Sequence, residues 1–309
     1  MTKEHSHSET NQKILISGAS GFLGQNLLKH SEFLRSRAVP VTRQGFQINN
    51  DFGFAEAALH IAGLAHQSYH EYDKDLYYKS NVELSLDFLR KAADKGVKHF
   101  ILVSTAKVFG EGGNLPYTES SPIHPQDIYA RSKAIAEEKC SQLADERNLK
   151  LTILRPPLIY GPNPKANFLT IWNAIAKGYP IPVSSLSNLR SIISTYNFAD
   201  FLERLLSNSF HEKISLNSLP SLVLLQDPKP ISTEELVHSI VKAQERPNRI
   251  IKIPHGMGTW GARILGKADL WDKWTGSFFY ENSSSLASSK WTPKFTTEQS
   301  LQFMAYPRK

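Results

Sequence analysis

The sequence predicts an α/β fold in which a parallel sheet, covered by helices on both faces, is followed by a smaller, mainly helical C-terminal lobe. Short apolar runs typical of buried strands alternate with helical patterns over Lys13–Pro157. Beyond Pro164 this alternation stops, and helical segments interrupted by prolines replace it. We therefore place a sheet domain at residues 12–165, with a segment of residues 190–210 returning to it, and a second, substrate-binding lobe at residues 166–309.

The composition is that of an ordered globular protein, with 40% hydrophobic and 21% charged residues among 309. A net charge of +7 favours anionic ligands. Lysine and arginine are scattered and no nucleic-acid motif occurs, so an anionic small molecule is favoured over nucleic acid. The only cysteine, Cys140, cannot form an intrachain disulfide, which indicates a reducing compartment. Residues 1–11 are polar and predict a disordered tail rather than a secretory signal.

No apolar run approaches the roughly 20 residues that would span a bilayer. We therefore expect a cytoplasmic protein without a membrane span. Two histidines of the tail, His5 and His7, have no second cluster of ligands, so we expect no metal site.

A glycine-rich turn joins the first predicted strand to the first helix. The apolar run Ile14–Ile16 is followed by Gly18, Gly21 and Gly24 at three-residue spacing. The first glycine allows a tight turn, the second a close approach of the backbone to a pyrophosphate, and the third close packing of helix on strand. This strand–turn–helix pattern predicts a Rossmann-type doubly wound parallel sheet that binds a dinucleotide at the helix N-terminus. The contacts expected from the turn are Gly18, Ser20, Gly21, Phe22, Leu23 and Gly24.

The second predicted strand, Ala38–Thr42, leads to Arg43, where an acidic residue would bind the adenosine ribose of NAD. A guanidinium suits the 2′-phosphate of NADP, so Arg43 slightly favours NADP, with an ordinary surface arginine as the alternative. The connection from Arg43 to Glu56 is too short for a crossover helix and a strand, which leaves the adenine pocket unassigned. The next strand, Glu56–Gly63, ends in small residues that would let the cofactor lie close: Ile61, Ala62 and Gly63.

The central part of the chain predicts two further strands and two helices. Residues 81–95 have the periodicity of an amphipathic helix, and a second helix is predicted from Tyr129 to Arg147. The uniformly apolar strands Phe100–Val103 and Leu151–Leu154 should be buried on both faces. Ser104 and Thr105 follow the first of these strands, at the sheet edge where open α/β proteins bind their ligands.

Tyr129 and Lys133 lie one helical turn apart on one face, and no other tyrosine in the chain has a lysine four residues later. A free phenol has a pKa near ~10, which a neighbouring ammonium and a positive nicotinamide ring would both lower. Tyr129 would then exchange a proton with a substrate hydroxyl held by Thr105, while the nicotinamide exchanges a hydride with the same carbon.

Four motifs occur in one order: the glycine turn, Ser104-Thr105-x-x-Val108-Phe109-Gly110, Tyr129-x-x-x-Lys133, and Arg155-Pro-Pro-x-x-Tyr-Gly-Pro162. With these motifs the chain resembles the extended short-chain dehydrogenase/reductase family, in its NAD(P)-dependent nucleotide-sugar epimerase/dehydratase group. Within that group it is most similar to UDP-sugar 4-epimerase-like proteins and 4-keto-reductases of bacterial surface-polysaccharide pathways. The resemblance extends over about Lys13–Asp200.

The resemblance implies roles for individual residues. Thr105, Tyr129 and Lys133 take the catalytic positions, and Asn81 takes the position of an asparagine that supports the active-site geometry. Ser104 and Pro156, with Tyr129 and Lys133, join the cofactor-binding set. A homodimer formed through the helices of Asn81 and Tyr129 is possible in such proteins.

For the substrate, the resemblance implies a nucleotide-diphosphate sugar, most simply a UDP-sugar. Asn167 and Arg190 match positions that contact the substrate diphosphate in relatives. The alternatives are that Asn167 only caps a helix and that Arg190 is an ordinary surface arginine. Lys107 is expected to point toward the substrate. The positions after Thr105 lack the acidic pair of sugar-nucleotide dehydratases, which argues against dehydration. Leu158 replaces an asparagine that binds the sugar in many epimerases.

Several functions stay open at this point. An epimerase would keep its NAD bound, whereas a 4-keto-reductase would consume NADPH. A reductase of a non-nucleotide carbonyl compound and a catalytically silent NAD(P)-binding regulatory protein are further alternatives. The aromatic segment from Trp260 to Tyr280 predicts the core or rim of the second lobe, with a membrane-surface helix as the alternative.

Overall fold

A computed structural model of the chain describes residues 12–42, 55–65, 74–185, 187–210, 215–247, 249–281 and 291–306. The predicted tail at residues 1–11, Arg43 and the connection that follows it lie outside the described residues. The ten described strands are β1 (Lys13–Ser17), β2 (Ala38–Val41), β3 (Ala55–His60), β4 (His99–Val103), β5 (Lys150–Leu154), β6 (Leu158–Tyr160), β7 (Ile181–Ser184), β8 (Ile192–Ser194), β9 (Leu222–Val223) and β10 (Ile250–Ile253).

The helices of the same ranges alternate with these strands in the first half of the chain. They are α1 (Phe22–His30), α2 (Glu32–Arg37), α3 (Lys74–Tyr78), α4 (Leu84–Asp94), α5 (Ile128–Glu146), α6 (Ala166–Ala176), α7 (Thr195–Phe210), α8 (Thr233–Ala243), α9 (His255–Ile264), α10 (Ala268–Thr275) and α11 (Thr297–Ala305). A π-helical turn, Lys79–Glu83, precedes α4, and short 3-10 helices lie at Ala106–Phe109 and Leu216–Ser218.

The main sheet has the order β2–β1–β3–β4–β5–β9 among the described strands, and all its neighbouring strands are parallel. Since β2 and β3 flank β1 on opposite sides, the direction of winding reverses at β1. A parallel sheet opens a ligand-binding crevice at such a point, outside the carboxyl ends of its strands. The predicted doubly wound α/β fold is thereby confirmed. Strand β9 joins this sheet although it lies beyond residues 12–165. The predicted boundary between the two lobes stays a prediction.

Both faces of the sheet are covered because its strands are apolar on both sides. Side chains alternate along a strand. In β1, Ile14 and Ile16 therefore pack with α1, α2 and α7 in one apolar cluster, whereas Leu15 packs with α4 and α5 in another. The continuous apolar runs that predicted these strands follow from this two-sided burial.

The second lobe is built around a third apolar cluster, to which α6, α8 and α11 contribute. The strand pairs β6–β8 and β7–β10 complete it. Helix α8 begins with a capping box: Ser232 Oγ accepts a hydrogen bond from the Glu235 amide, and the Glu235 carboxylate accepts one from the Ser232 amide.

The aromatic residues between Trp260 and Tyr280 do not share one environment. Trp271 and Tyr280 are buried, as predicted for core residues, whereas Trp260 on α9 is 69% exposed. Core packing is therefore confirmed for Trp271 and Tyr280 but not for Trp260, for which the rim of the lobe and a membrane-surface helix stay predictions. Among the described residues, no helix has the length and apolar character that a membrane crossing requires.

Two histidines are fully buried within the sheet, His60 at the end of β3 and His99 at the start of β4. Burial lowers the pKa of each to about 3, and the nearby Lys133 and Lys150 cations act in the same direction. An unfolded histidine titrates near pH ~6.5, so between that value and the folded pKa only the unfolded chain takes up these protons. Above pH ~6.5 both states are neutral at each histidine, and the folded state has its full stability. It is lost as the pH falls, by about 1.4 kcal/mol per pH unit.

We expect His99→Gln to flatten the pH dependence of the unfolding free energy by about 1.4 kcal/mol per pH unit below roughly pH 6.5, because one buried titrating group is removed. His99 Nε2 lies 2.9 Å from Thr152 Oγ1, and the Thr152 hydroxyl donates to the Pro220 carbonyl. Glutamine can therefore replace the N–H that His99 donates to Thr152. The measurement is urea unfolding at a series of pH values. Thr152→Val is the control: it should lower stability at every pH and leave the slope unchanged, and an unchanged slope in His99→Gln would contradict the prediction.

Candidate active site

The glycine turn between β1 and α1 is closely packed against the end of β3. Gly18 has a φ of +77°, which favours glycine, and a Cβ atom there would lie 2.6 Å from the Ala62 amide nitrogen. A Cβ on Gly24 would collide with the Gly18 carbonyl oxygen. The turn is closed by a hydrogen bond from the Gly21 amide to that same carbonyl, 3.0 Å long. The chain therefore needs glycine at positions 18 and 24 to bring β1, α1 and β3 together.

The N-terminus of α1 opens at the carboxyl edge of the sheet. Its N-cap residue, Gly21, has no side chain to cap the helix, and the first turn contains no acidic residue. Ser20 and Gly21 are exposed, whereas the Leu23 side chain is buried in the core. The amides of Phe22, Leu23 and Gly24 have no acceptor within the helix, because no helical carbonyl precedes the first turn of an α-helix. The predicted contacts of this turn can thus offer backbone N–H groups and a positive dipole end to a phosphate.

A buried hydrogen-bonded chain joins the glycine turn to the π-helical turn. Ser85 Oγ donates to the Asn81 carbonyl at 2.6 Å, which uses its single proton. His60 Nε2, 2.8 Å from Ser85 Oγ, must then carry the proton and donate. His60 Nδ1 is therefore the acceptor for the Ser17 hydroxyl at 2.6 Å, and Ser17 Oγ accepts from the Ala62 amide at 3.3 Å. The chain fixes a neutral, Nε2-protonated His60 between the two elements.

Asn81 is fully buried and uses its whole carboxamide to join β3 to α5. Its Oδ1 accepts from the Leu64 amide at 2.7 Å, and its Nδ2 donates to the Leu64 carbonyl at 3.1 Å and to Ser132 Oγ at 2.9 Å. Ser132 Oγ in turn donates to the Tyr129 carbonyl at 2.8 Å. Gly63 lies beside it, where a Cβ atom would approach Asn81 Oδ1 to 2.8 Å. The residue expected to support the site thus contacts the first turn of α5 through Ser132.

The first turn of α5 is also held from its other side. Asp127 caps the helix, since its Oδ1 accepts from the Ala130 amide at 2.7 Å. Its second carboxylate oxygen, Oδ2, accepts from Lys107 Nζ at 2.8 Å. The ammonium of Lys107, which was expected to meet the substrate, is engaged by this helix cap. A direct contact of Lys107 with substrate stays a prediction.

Lys133 places α5 against the end of β4. Its Nζ donates to the Val103 carbonyl at 2.7 Å, and its side chain is almost fully buried. Burial lowers the pKa of Lys133 to about 8, and the carboxylate of Glu137 opposes that shift. Tyr129, one turn earlier on the same helix, is half-buried, with its ring centroid 6.4 Å from that of Tyr77. The bond to Val103 places Lys133 at the strand end that precedes Ser104 and Thr105.

The carboxyl end of β4 presents two hydroxyl groups. Thr105 is nearly buried, and its Oγ1 accepts from the Lys107 amide at 3.3 Å. Ser104 Oγ is buried and has no hydrogen-bond partner among the described residues, which is the condition expected of a group that a ligand completes. Pro156 lies beside them, because its carbonyl accepts from the Ala106 amide at 2.9 Å.

A buried ion pair behind Lys133 was not foreseen from the sequence. Glu137 accepts from both Nε and Nη2 of Arg155, the shortest of these bonds being 2.6 Å. The Arg155 guanidinium stacks 4.8 Å from the centre of the Phe109 ring, and the Tyr280 hydroxyl donates to the Arg155 carbonyl. The only sequence signal was Glu137 lying four residues after Lys133, on the same face of the helix.

The two predicted diphosphate contacts lie in the second lobe. Asn167 is exposed in the first turn of α6, where it does not act as the cap. Arg190 Nη1 donates to the carbonyls of Lys273 and Gly276, at 2.7 and 2.9 Å. A crevice among the described residues is lined by Ser184 and Thr233, among others, and Arg190 is not part of its lining. No cluster of three or more potential metal ligands occurs in the part of the chain that the structure describes.

Comparison with known proteins agrees with this geometry. Residues 14–215 match the model of the NAD dependent epimerase/dehydratase family. The UDP-glucose 4-epimerase of Vibrio cholerae is 28% identical over 94% of each chain. The N-acetyl-α-D-glucosaminyl-diphospho-ditrans,octacis-undecaprenol 4-epimerase of Escherichia coli O157:H7 is 24% identical over 88% of this chain and 84% of its own length.

The fold is shared with a solved UDP-N-acetylglucosamine 4-epimerase from Methanobrevibacter ruminantium, at a TM-score of 0.73 and 17% identity, with 95% of this chain and 97% of that chain covered. The matched residues run from β1 through α7 and so include the glycine turn, Asn81, Thr105, Tyr129 and Lys133. On this evidence the chain belongs to the NAD dependent epimerase/dehydratase family, whose members are NAD(P)-dependent enzymes of the extended short-chain dehydrogenase/reductase type.

Proposed function

We propose that this protein transfers a hydride at C4 of a nucleotide-diphosphate sugar, as a 4-epimerase or a 4-keto-reductase that makes sugars for surface polysaccharides in the cytoplasm. The observation that carries the proposal is the 2.7 Å hydrogen bond from Lys133 Nζ to the Val103 carbonyl. It holds Lys133 against the end of β4, which is followed by Ser104 and Thr105, and Tyr129 lies one turn earlier on the same face of α5. Sheets of this kind bind ligands at this edge. The related proteins named above include two 4-epimerases of diphosphate-linked sugars.

The described residues fit a dinucleotide cofactor. The uncapped N-terminus of α1 would hold its diphosphate, next to a turn in which Gly18 packs too closely on Ala62 to carry a side chain. The unpartnered Ser104 Oγ, with Tyr129, Lys133 and Pro156, would hold the nicotinamide half. When bound, the nicotinamide supplies the acceptor or donor of the hydride. NAD and NADP both remain candidates, because Arg43 lies outside the described residues.

The side chains at the end of β4 would perform the proton transfer. With a pKa of about 8, Lys133 is mostly charged at neutral pH, and its charge favours the phenolate form of Tyr129. Tyr129 would then take the proton of a sugar hydroxyl, or return it to a keto oxygen. The Thr105 hydroxyl would hydrogen-bond the same oxygen and hold it in line. Lys133 uses one of its three N–H donors on Val103, which leaves two for other partners.

The second lobe would bind the diphosphate of the substrate. Nη1 of Arg190 is engaged with two carbonyls, and a guanidinium has five N–H donors, so others remain for a phosphate. Asn167 lies in the first turn of α6, which contains no acidic residue and has no side-chain cap. Both features suit an anion. The proposal therefore assigns Asn167 and Arg190 to the diphosphate.

An assay of the cofactor distinguishes the two forms of the reaction. An epimerase returns the hydride to its substrate, so the purified protein should contain stoichiometric nicotinamide and consume none during turnover. A 4-keto-reductase should consume one reduced cofactor for each product. The experiment is mass spectrometry of the co-purified nucleotide, followed by turnover of a panel of UDP-sugars and their 4-keto forms.

We expect Tyr129→Phe to lower kcat/KM by roughly 100-fold or more, because the variant keeps the ring and loses only the proton-transferring hydroxyl. Cofactor affinity should change little, as measured by fluorescence titration with NAD(H) or NADP(H). Tyr77→Phe is the matched control: it removes a hydroxyl from the neighbouring ring, 6.4 Å away, and should keep its activity. Undiminished turnover by Tyr129→Phe would refute the proposal.

We expect Asn167→Ala to raise KM for the nucleotide sugar about tenfold with kcat unchanged, the loss typical of one hydrogen bond to a charged group. Asn173→Ala is a control on the same helix, since Asn173 is also exposed. The measurement is steady-state kinetics, which gives KM and kcat for both variants. If the two variants have the same KM, Asn167 does not bind the diphosphate, and a carbonyl substrate without a nucleotide becomes the better candidate.

A further inference from the structure

Helix α9 carries an apolar stripe that the protein does not cover. None of its ten residues is buried. Three large apolar side chains are 65–69% exposed, and the residue that follows the helix, Leu265, is 72% exposed. The three are Met257, Trp260 and Ile264. Their spacing of three and four residues places them on one side of the helix, as a continuous stripe rather than scattered surface residues.

The opposite side of α9 is packed on α10, which fixes the direction of the stripe. The His255 ring stacks on the Trp271 indole with centroids 6.3 Å apart, and a Cβ atom on Gly258 would collide with that same indole. His255 Nδ1 also lies 3.3 Å from Ser184 Oγ of β7. Positions 255 and 258 therefore face the protein, and positions 257, 260 and 264 face away from it.

The charged side chains of α9 and of the three residues that follow it are basic. Arg263 lies beside it on α9, and Lys267 follows the helix, and both are exposed. Residues 255–267 contain no aspartate or glutamate, and the whole chain carries a net charge of +7. An exposed tryptophan among aliphatic residues, bordered by arginine and lysine, is the composition of helices that lie in the surface of an anionic bilayer.

We propose that α9 docks this protein on the surface of a lipid bilayer that contains anionic lipids. The stripe would enter the boundary between headgroups and acyl chains, and Arg263 and Lys267 would contact the lipid phosphates. The helix lies on the membrane without crossing it. The docking depends on the outer side of α9 alone and is independent of the proposed catalytic activity.

The test is flotation of the purified full-length protein with vesicles of phosphatidylcholine, with and without about 30% phosphatidylglycerol. We expect binding to the anionic vesicles that weakens with salt, and binding to neutral vesicles weaker by about tenfold or more. All five tryptophans lie in the described ranges, and Trp260 is the one that is exposed. Its fluorescence emission should shift to the blue on binding, because the indole would leave water.

Two matched variants assign the binding to the stripe. Leu265→Gln should lower the bound fraction several-fold, as should Trp260→Gln. Leu115→Gln replaces a leucine that is 80% exposed in another part of the chain and should bind like the parent protein. Circular dichroism and thermal unfolding verify that each variant is folded.

Three outcomes would overturn the proposal. One is the absence of binding to anionic vesicles, and another is equal binding by the parent protein, Trp260→Gln and Leu265→Gln. The third is a concentration-dependent dimer, seen by light scattering, that Trp260→Gln dissociates, because the stripe would then be covered by a second copy of this chain.

Discussion

The burial of one ammonium group, that of Lys133, is the constraint on which the rest of the site depends. Removing such a charge from water costs several kcal/mol unless it is well paired. Here the Val103 carbonyl accepts its hydrogen bond and the Glu137 carboxylate favours its charge, while Arg155 neutralises Glu137 in turn. This arrangement is satisfied only when α5 lies at one position along β4. Tyr129 lies one turn earlier on the same face of α5, so its proposed role depends on the same position of the helix.

The elements around the crevice are held together by buried polar side chains. Asn81 connects the end of β3 to α5, and His60 connects it to the glycine turn. Each of these buried polar groups has its hydrogen bonds satisfied within the chain, which makes a single arrangement far better than any displaced one. The glycine turn, the end of β3 and the first turn of α5 are thus joined by one buried hydrogen-bonded network.

Local patterns predicted the fold well, because they depend on local physics. The apolar runs of β1, β4 and β5 follow from burial on both faces, and the glycine spacing follows from the close approach of Gly18 to Ala62. The partners of Lys107 and Glu137 could not be predicted, since Asp127 and Arg155 lie about 20 residues away in the sequence and meet them only in the folded chain. The sequence could not separate core from rim at Trp260 for a related reason: an apolar residue is buried only when another element packs over it.

The α9–α10 hairpin connects the outer surface of the second lobe to the proposed diphosphate site. Trp271 of α10 supports α9, and the carbonyls of Lys273 and Gly276, at the end of α10, accept from Arg190. One short helix therefore supplies both the indole that supports α9 and the carbonyls that hold Arg190. The apolar stripe lies on the side of α9 that faces away from α10, so the proposed docking surface and the proposed diphosphate site use different sides of this helix pair.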